Sequence, residues 1–180
     1  MKLLIIGTGS MAEAHARNFI DIPGVSLVTI VETNPERLQV FGDKYGVANR
    51  FSDLDAAIAW GDFDAAANVT PDAVHHPTTM KLIAAGKHVF CEKPLATVYP
   101  LAMEMTEAAE ARGLINMVNL TYRASPALHK ARDLATSGAL GIVRHFESSY
   151  LQSWLVGRQW GDWRTEPRWL WRLSGRHGSR

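Results

Sequence analysis

Lys2-Leu-Leu-Ile-Ile-Gly7-Thr-Gly9-Ser-Met-Ala12 is the stretch whose reading decides the fold. Leu3 to Ile6 form an unbroken apolar run of strand length, the pattern of a parallel strand buried on both faces. Two glycines follow. Ser10 to Ile20 then has helical spacing, with Ala12, Ala16, Phe19 and Ile20 as an apolar stripe. Strand, glycine turn and helix are the setting in which Gly-x-Gly-x-x-Gly/Ala carries meaning. Gly7 permits the tight turn, Gly9 lets a pyrophosphate approach the backbone, and Ala12 lets helix and strand pack closely. The phosphates would lie against Gly7, Thr8, Gly9, Ser10 and Met11, where helix N–H groups are free and the dipole is positive. Taken alone, the pattern also fits an ordinary tight turn.

An acidic residue at the end of the next strand separates the two readings. Ser26 to Val31 reads as that strand, and Glu32 ends it. A carboxylate there accepts hydrogen bonds from both hydroxyls of an adenosine ribose and repels a 2′-phosphate, which favours NAD over NADP. Gly7, Gly9, Ala12 and Glu32 together predict a dinucleotide site.

The remainder of the chain repeats the alternation. Pro35 to Tyr45 reads as a helix capped by Asn34 or Thr33 and stopped by Gly46. A short extended piece, Val47 to Phe51, precedes a helix starting at Ser52 or Asp53. Phe63 to Val69 reads as a buried strand ending at Thr70-Pro71-Asp72, followed by a helix from about Ala73 to Ala85. His88 to Cys91 is the next strand, ending at Glu92-Lys93-Pro94. A helix opened by Thr97 or Pro100 runs to Arg112, and Leu114 to Val118 is a sixth strand. This order implies an α/β fold, a Rossmann doubly wound parallel sheet, over residues 1–120. Parallel strands end along one edge, so the glycine loop, Glu32, Thr70-Pro71, Glu92-Lys93 and Asn119 are expected near one another.

After Leu120 the pattern changes. A helix from Ser125 to Ser137 and a long strand from Gly141 to Leu151 are expected. Five of the six tryptophans then follow: Trp154, Trp160, Trp163, Trp169 and Trp171. Residues 121–180 thus read as the start of an incomplete α+β substrate domain.

Composition bounds the class. A hydrophobic share of 47% and a charged share of 21% are ordinary for a globular chain, and the first residues read as a strand rather than a leader. No apolar run reaches the length of a membrane span. One cysteine, Cys91, fits a reducing cytoplasm and forbids an intrachain disulfide. Residues 1–120 hold 9 basic and 14 acidic groups, and residues 121–180 hold 10 basic and 4 acidic. The basic residues of the second part are scattered among tryptophans without a block of like charge, which argues against nucleic acid as a partner.

Lys93 is the sharpest chemical feature. A buried lysine at a strand end beside a dinucleotide has its pKa lowered by desolvation and becomes usable as an acid–base group. A paired Glu92 would instead keep it charged. Lys93 then acts either in proton transfer or as a fixed positive donor to cofactor or substrate oxygens. His75 and His76 begin a helix, where adjacent side chains diverge and no third ligand is spaced to join them, so no metal is expected and capping or cofactor contact is. Cys91, in a buried strand, reads as a small apolar residue.

Gly7-Thr-Gly9-Ser-Met-Ala12, Thr70-Pro71-Asp72-x-x-His75 and Ala85-Gly-Lys-His-Val-Phe-Cys-Glu92-Lys93-Pro94-Leu95-Ala96 resemble the Gfo/Idh/MocA oxidoreductase family. The likeness continues through Tyr122-Arg123 and Ser137-Gly-Ala-Leu-Gly141 into Tyr150-Leu-Gln-Ser-Trp154. It implies an NAD(P)-dependent dehydrogenase acting on a sugar, polyol or related hydroxy compound. Lys93 would contact the reacting hydroxyl beside the nicotinamide, and His75 would lie near the cofactor. It also implies pairing of second-domain sheets into a homo-oligomer. One departure stands out. The family's Asp-x-Gly-x-His segment, source of its usual acid–base histidine, does not occur here: His177 precedes Gly178, but position 173 is Leu173. The chain reads as shortened relative to the family, with two functional expectations: a dehydrogenase impaired by that loss, or a non-catalytic dinucleotide-binding or interaction module.

Overall fold

The computed structural model describes residues 1–151, 153, 156, 157, 161, 162 and 165. It divides into two compact units, Met1–Asn119 and Leu120–Arg180.

The first unit is built on β1 (Lys2–Ile6), β2 (Ser26–Val31), β3 (Asn49–Phe51), β4 (Ala65–Asn68), β5 (His88–Cys91) and β6 (Asn116–Val118). All neighbouring pairs are parallel, in the order β3-β2-β1-β4-β5-β6. The helices between them are α1 (Ser10–Ile20), α2 (Pro35–Lys44), α3 (Leu54–Trp60), α4 (His75–Ala84) and α5 (Tyr99–Ala111). A single turn of 3-10 helix, Asp72–Val74, leads into α4. The expected Rossmann sheet is therefore present, with several strand and helix ends trimmed by one or two residues.

Alternation along the strands sorts side chains to two faces. Leu3 and Ile5 pack with Ala12 and Ala16 of α1 and Phe41 of α2. Leu4 and Ile6 pack with Leu54 and Ala57 of α3, Leu82 and Ile83 of α4 and Ala109 of α5. Both faces are covered, which is why the central strands read as continuous apolar runs. Each fully buried Leu, Ile or Phe here contributes roughly 1.5–3 kcal/mol of transfer free energy. Local signals set the ends of the helices. Asn34 Oδ1 accepts from Arg37 N–H at 3.0 Å to cap α2, and Asp53 Oδ2 accepts from Ala56 N–H at 3.0 Å to cap α3.

The stripe expected on α1 differs in one respect. Ile20 is exposed, and the core-facing position between Ala12 and Ala16 is taken by His15, which is 8% exposed.

Ile6 pairs with Val31 and with Asn68, Asn68 with Cys91, and Cys91 with Val118. The next residue of each strand continues this level row through backbone bonds. Gly7 N–H donates to Val31 O at 2.8 Å, Glu32 N–H to Phe51 O at 3.0 Å and Val69 N–H to Ile6 O at 2.9 Å. Glu92 N–H donates to Asn68 O at 3.0 Å and Asn119 N–H to Cys91 O at 2.8 Å. Glu32, Gly7, Val69, Glu92 and Asn119 therefore stand in one line along the carboxyl edge.

In the second unit a 3-10 turn, Thr121–Ala124, precedes α6 (Pro126–Thr136), none of whose residues is buried. The strand expected from Gly141 to Leu151 does not form. A strand needs a ladder partner, and no described residue supplies one. Ile142, Val143, Phe146, Tyr150 and Leu151 are correspondingly exposed. The Tyr150 hydroxyl donates to that of Tyr122 at 2.6 Å, and their rings meet edge-on at 5.5 Å. Trp154, Trp160, Trp163, Trp169, Trp171 and His177 lie outside the described residues.

Candidate functional site

The glycine loop sits between the end of β1 and the start of α1. Gly7 has φ +86°, and a Cβ there would stand 2.8 Å from the Val69 carbonyl oxygen, so turn and packing both require glycine. Gly9, by contrast, faces open space, with nothing within 4 Å of where its Cβ would be. Gly9 is the N-cap of α1, and no side chain caps that end. Gly9, Ser10 and Met11 are exposed. A bare backbone before an uncapped helix end is the geometry a pyrophosphate needs.

Glu32 lies across the loop from β1. Its Oε2 accepts from Thr8 N–H at 3.0 Å and Thr8 Oγ1–H at 2.9 Å. Its Oε1 accepts from Asn34 N–H at 2.9 Å and Thr33 Oγ1–H at 3.3 Å. Partial burial raises the Glu32 pKa, but these hydrogen bonds outweigh it and the carboxyl lies below its ordinary value. The residue is an anion fixed beside the glycine loop.

On the other side of β1 two buried networks shape the loops. Asn68, fully buried, donates through Nδ2 to Thr78 Oγ1 at 2.6 Å and Thr79 Oγ1 at 3.0 Å. Its Oδ1 accepts from Thr70 Oγ1–H at 2.7 Å, which fixes the Thr70-Pro71 turn against α4. His75, 1% exposed, brings Nδ1 to 2.8 Å from Pro94 O and Nε2 to 2.8 Å from Thr70 O. Its ring bridges the loops after β4 and β5. Thus the residue expected near the cofactor is buried, and its nitrogens meet backbone carbonyls.

Glu92 does not pair with the Lys93 side chain. Its Oε1 lies 2.6 Å from His15 Nε2 and accepts from Asn119 Nδ2 at 2.6 Å, while Oε2 accepts from Lys93 N–H at 3.1 Å. Burial raises the Glu92 pKa, and the bonds from His15, Asn119 and Lys93 lower it by more, so its carboxyl is held below the ordinary range. Lys93 itself is exposed, and its bond to Pro94 is cis. The expectation of a buried, desolvated lysine is corrected: Glu92 points inward and Lys93 outward. Cys91 is 1% exposed, and burial pushes its thiol up to about 12, which leaves no nucleophile there.

The row thus brings together Gly7, Thr8, Gly9, Glu32, Glu92, Lys93 and Asn119, with Thr70 and Pro71 on the adjoining turn. His15 and Asn68 were not singled out in the sequence. The signal for each was a polar residue inside an apolar pattern: His15 on the helix stripe, Asn68 at the end of an alanine strand. No group of three His, Cys, Asp or Glu residues that could hold a metal occurs among the described residues. No described helix is long and apolar enough to cross a membrane.

Strand order, positive-φ glycine, uncapped helix end and strand-end glutamate define a dinucleotide-binding Rossmann domain. Residues 1–120 match the family model described as oxidoreductase family, NAD-binding Rossmann fold. The chain belongs to that family, the Gfo/Idh/MocA oxidoreductases. It is 31% identical over 159 residues to levoglucosan dehydrogenase of Pseudarthrobacter phenanthrenivorans, covering 83% of this chain and 40% of that protein. It is 31% identical to scyllo-inositol 2-dehydrogenase (NADP(+)) of Bacillus subtilis, covering 84% of this chain and 46% of that protein. A crystal structure of scyllo-inositol dehydrogenase from Lactobacillus casei with bound cofactor NAD(H) and scyllo-inositol aligns with TM-score 0.73 and 26% identity, over 78% of this chain and 42% of that one. The chain thus spans less than half the length of each of these three proteins.

Proposed function

We propose that this chain supplies the cofactor half of an NAD-dependent dehydrogenase that interconverts a hydroxyl and a carbonyl on a sugar, polyol or related compound. The observation that carries the reading is the row Glu32–Gly7–Glu92, which brings the strand-end glutamate, the glycine loop and the Lys93 turn to one sheet edge. Glu32 binds the adenosine ribose and disfavours a 2′-phosphate. The N–H groups at the start of α1 bind the pyrophosphate. A dinucleotide held there would supply hydride chemistry to the substrate carbon. Because Lys93 is exposed, its role as a charged donor to the reacting oxygen is better supported than that of a desolvated base. It would orient the hydroxyl and stabilise the alkoxide that develops as the hydroxyl proton passes to solvent at this exposed edge.

These 180 residues contain no Asp-x-Gly-x-His segment. We therefore expect this chain to bind NAD(H) and to turn over a polyol slowly or not at all. The same site would serve a non-catalytic dinucleotide-binding module, a reading favoured by the exposed apolar side chains Ile142, Val143, Phe146, Tyr150 and Leu151. Calorimetric titration of the chain with NADH and NADPH tests the binding proposal. Saturable heat with NADH, weakened about tenfold or more by Glu32→Ala, is expected. No heat from a folded sample would overturn it. A robust polyol-dependent rate would overturn the expected impairment.

A further inference from the structure

The buried contact between α1 and the turn after β5 has no part in the function derived so far. His15 lies on the core face of α1, five residues past the helix start at Ser10. Its ring is packed between Phe19, at 5.9 Å between centroids, and Phe90, at 5.1 Å. Nε2 is aimed at Glu92 Oε1, 2.6 Å away, and both side chains are nine-tenths buried. Glu92 spends its other oxygen on the N–H of Lys93. One hydrogen-bonded path therefore runs from α1, the helix that follows the glycine loop, to the backbone of Lys93.

The sheet order gives this path a direction. Glu32, at the end of β2, lies on one side of β1, and β4 and β5 lie on the other. With the adenosine ribose at Glu32 as proposed, Glu92 and Lys93 would lie on the side left for the nicotinamide half.

We propose that His15 is a positioning residue for the nicotinamide half of the site: through Glu92 it holds Lys93 in register with the helix that carries the pyrophosphate. The proposal rests on the dinucleotide reading above. It does not require His15 to touch cofactor or substrate. A merely structural histidine would support both halves of the site alike. A positioning histidine biases only the far half.

ADP and NADH separate these cases, because ADP carries the adenosine and both phosphates but no nicotinamide. Binding of each is measured by calorimetry on the folded 180-residue chain. His15→Phe keeps an aromatic ring between Phe19 and Phe90 and removes the donor to Glu92. The expected result is a weakening of NADH by about tenfold with ADP changed by less than about twofold. His15→Gln, which returns an N–H donor at similar reach, is expected to restore most of the NADH affinity. Glu92→Gln leaves His15 packed and is expected to raise the same NADH-to-ADP ratio of dissociation constants. It decides the matter if His15→Phe does not fold, because a single carboxamide cannot serve both His15 and Lys93 as the carboxylate does. Equal weakening of both ligands, or no weakening of either, overturns the proposal while the dinucleotide reading stands. A folded wild-type chain that binds neither ligand overturns both.

Discussion

Thr8 gives Glu32 two hydrogen bonds at once, from its N–H at 3.0 Å and from its hydroxyl at 2.9 Å, both to Oε2. Thr33 and Asn34 supply two more to Oε1. A carboxylate offers about four lone-pair sites, and these four donors occupy them. The Thr8 and Thr33 hydroxyls can rotate away; the two backbone N–H groups remain. On the proposed reading, a ribose at Glu32 would exchange with the hydroxyl donors and leave the backbone clamp intact.

The exchange has a measurable cost. Thr8→Val deletes the competing hydroxyl and keeps the backbone bond. It is expected to lower stability by about 1 kcal/mol, the usual net worth of such a bond, while NADH binds as tightly as before or up to several-fold tighter. Urea unfolding and NADH titration of the same variant check both halves. Weaker NADH binding would mean that Thr8 serves the ligand rather than Glu32.

Gly7 carries a different constraint. At φ +86°, with the Val69 carbonyl oxygen 2.8 Å from any added Cβ, Gly7→Ala adds left-handed strain to a clash with backbone. A loss of about 2–4 kcal/mol is expected from the two together, read as a lower urea midpoint. Gly9→Ala adds a methyl group in open space. Its stability is expected to stay within about 0.5 kcal/mol of the parent, with its effect appearing in NADH binding instead.

Lys93 separates folding from chemistry. Its side chain is exposed, so Lys93→Ala is expected to leave Tm within about 1 °C. Any polyol-dependent NADH formation is expected to fall by about a hundredfold or more, the scale of losing one charged donor at a reacting oxygen. Thermal melts and a coupled absorbance assay distinguish this from general damage.

Acid should loosen the site from two places. Glu32 and Glu92 both have pKa values lowered in the folded chain, burial opposing and hydrogen bonds prevailing. A lowered carboxyl pKa contributes stability that is present above the unfolded value of 4.5 and is lost as pH falls through the folded value. Tm is therefore expected to decline below about pH 4.5. Glu92→Gln and Glu32→Gln are each expected to flatten that decline. A decline of unchanged slope in both variants would place the acid sensitivity elsewhere.

Much of the fold was legible because its signals are local. A run such as Leu3–Ile6, a glycine pair and a capping Asn34 act within a few residues, and their order implies a parallel sheet whose strand ends share an edge. The row from Glu32 to Asn119 follows from that topology. His75 was legible as a residue at the start of a helix but not as a bridge between two carbonyls 2.8 Å away on either side. Its contacts come from the turns after β4 and β5, which only the sheet brings together.

The sequence by itself determined the βα alternation, the glycine cradle and the acidic strand end, since each depends on side-chain type and spacing along the chain. Tertiary structure alone decided that Glu92 turns inward to His15 and Asn119, that Lys93 turns out to solvent, and that Gly141 to Leu151 forms no strand. The physical reason is the reach of the forces involved. Periodicity says which face of an element is apolar, but the partner of a buried charge or of a strand edge is set by which distant segment arrives beside it.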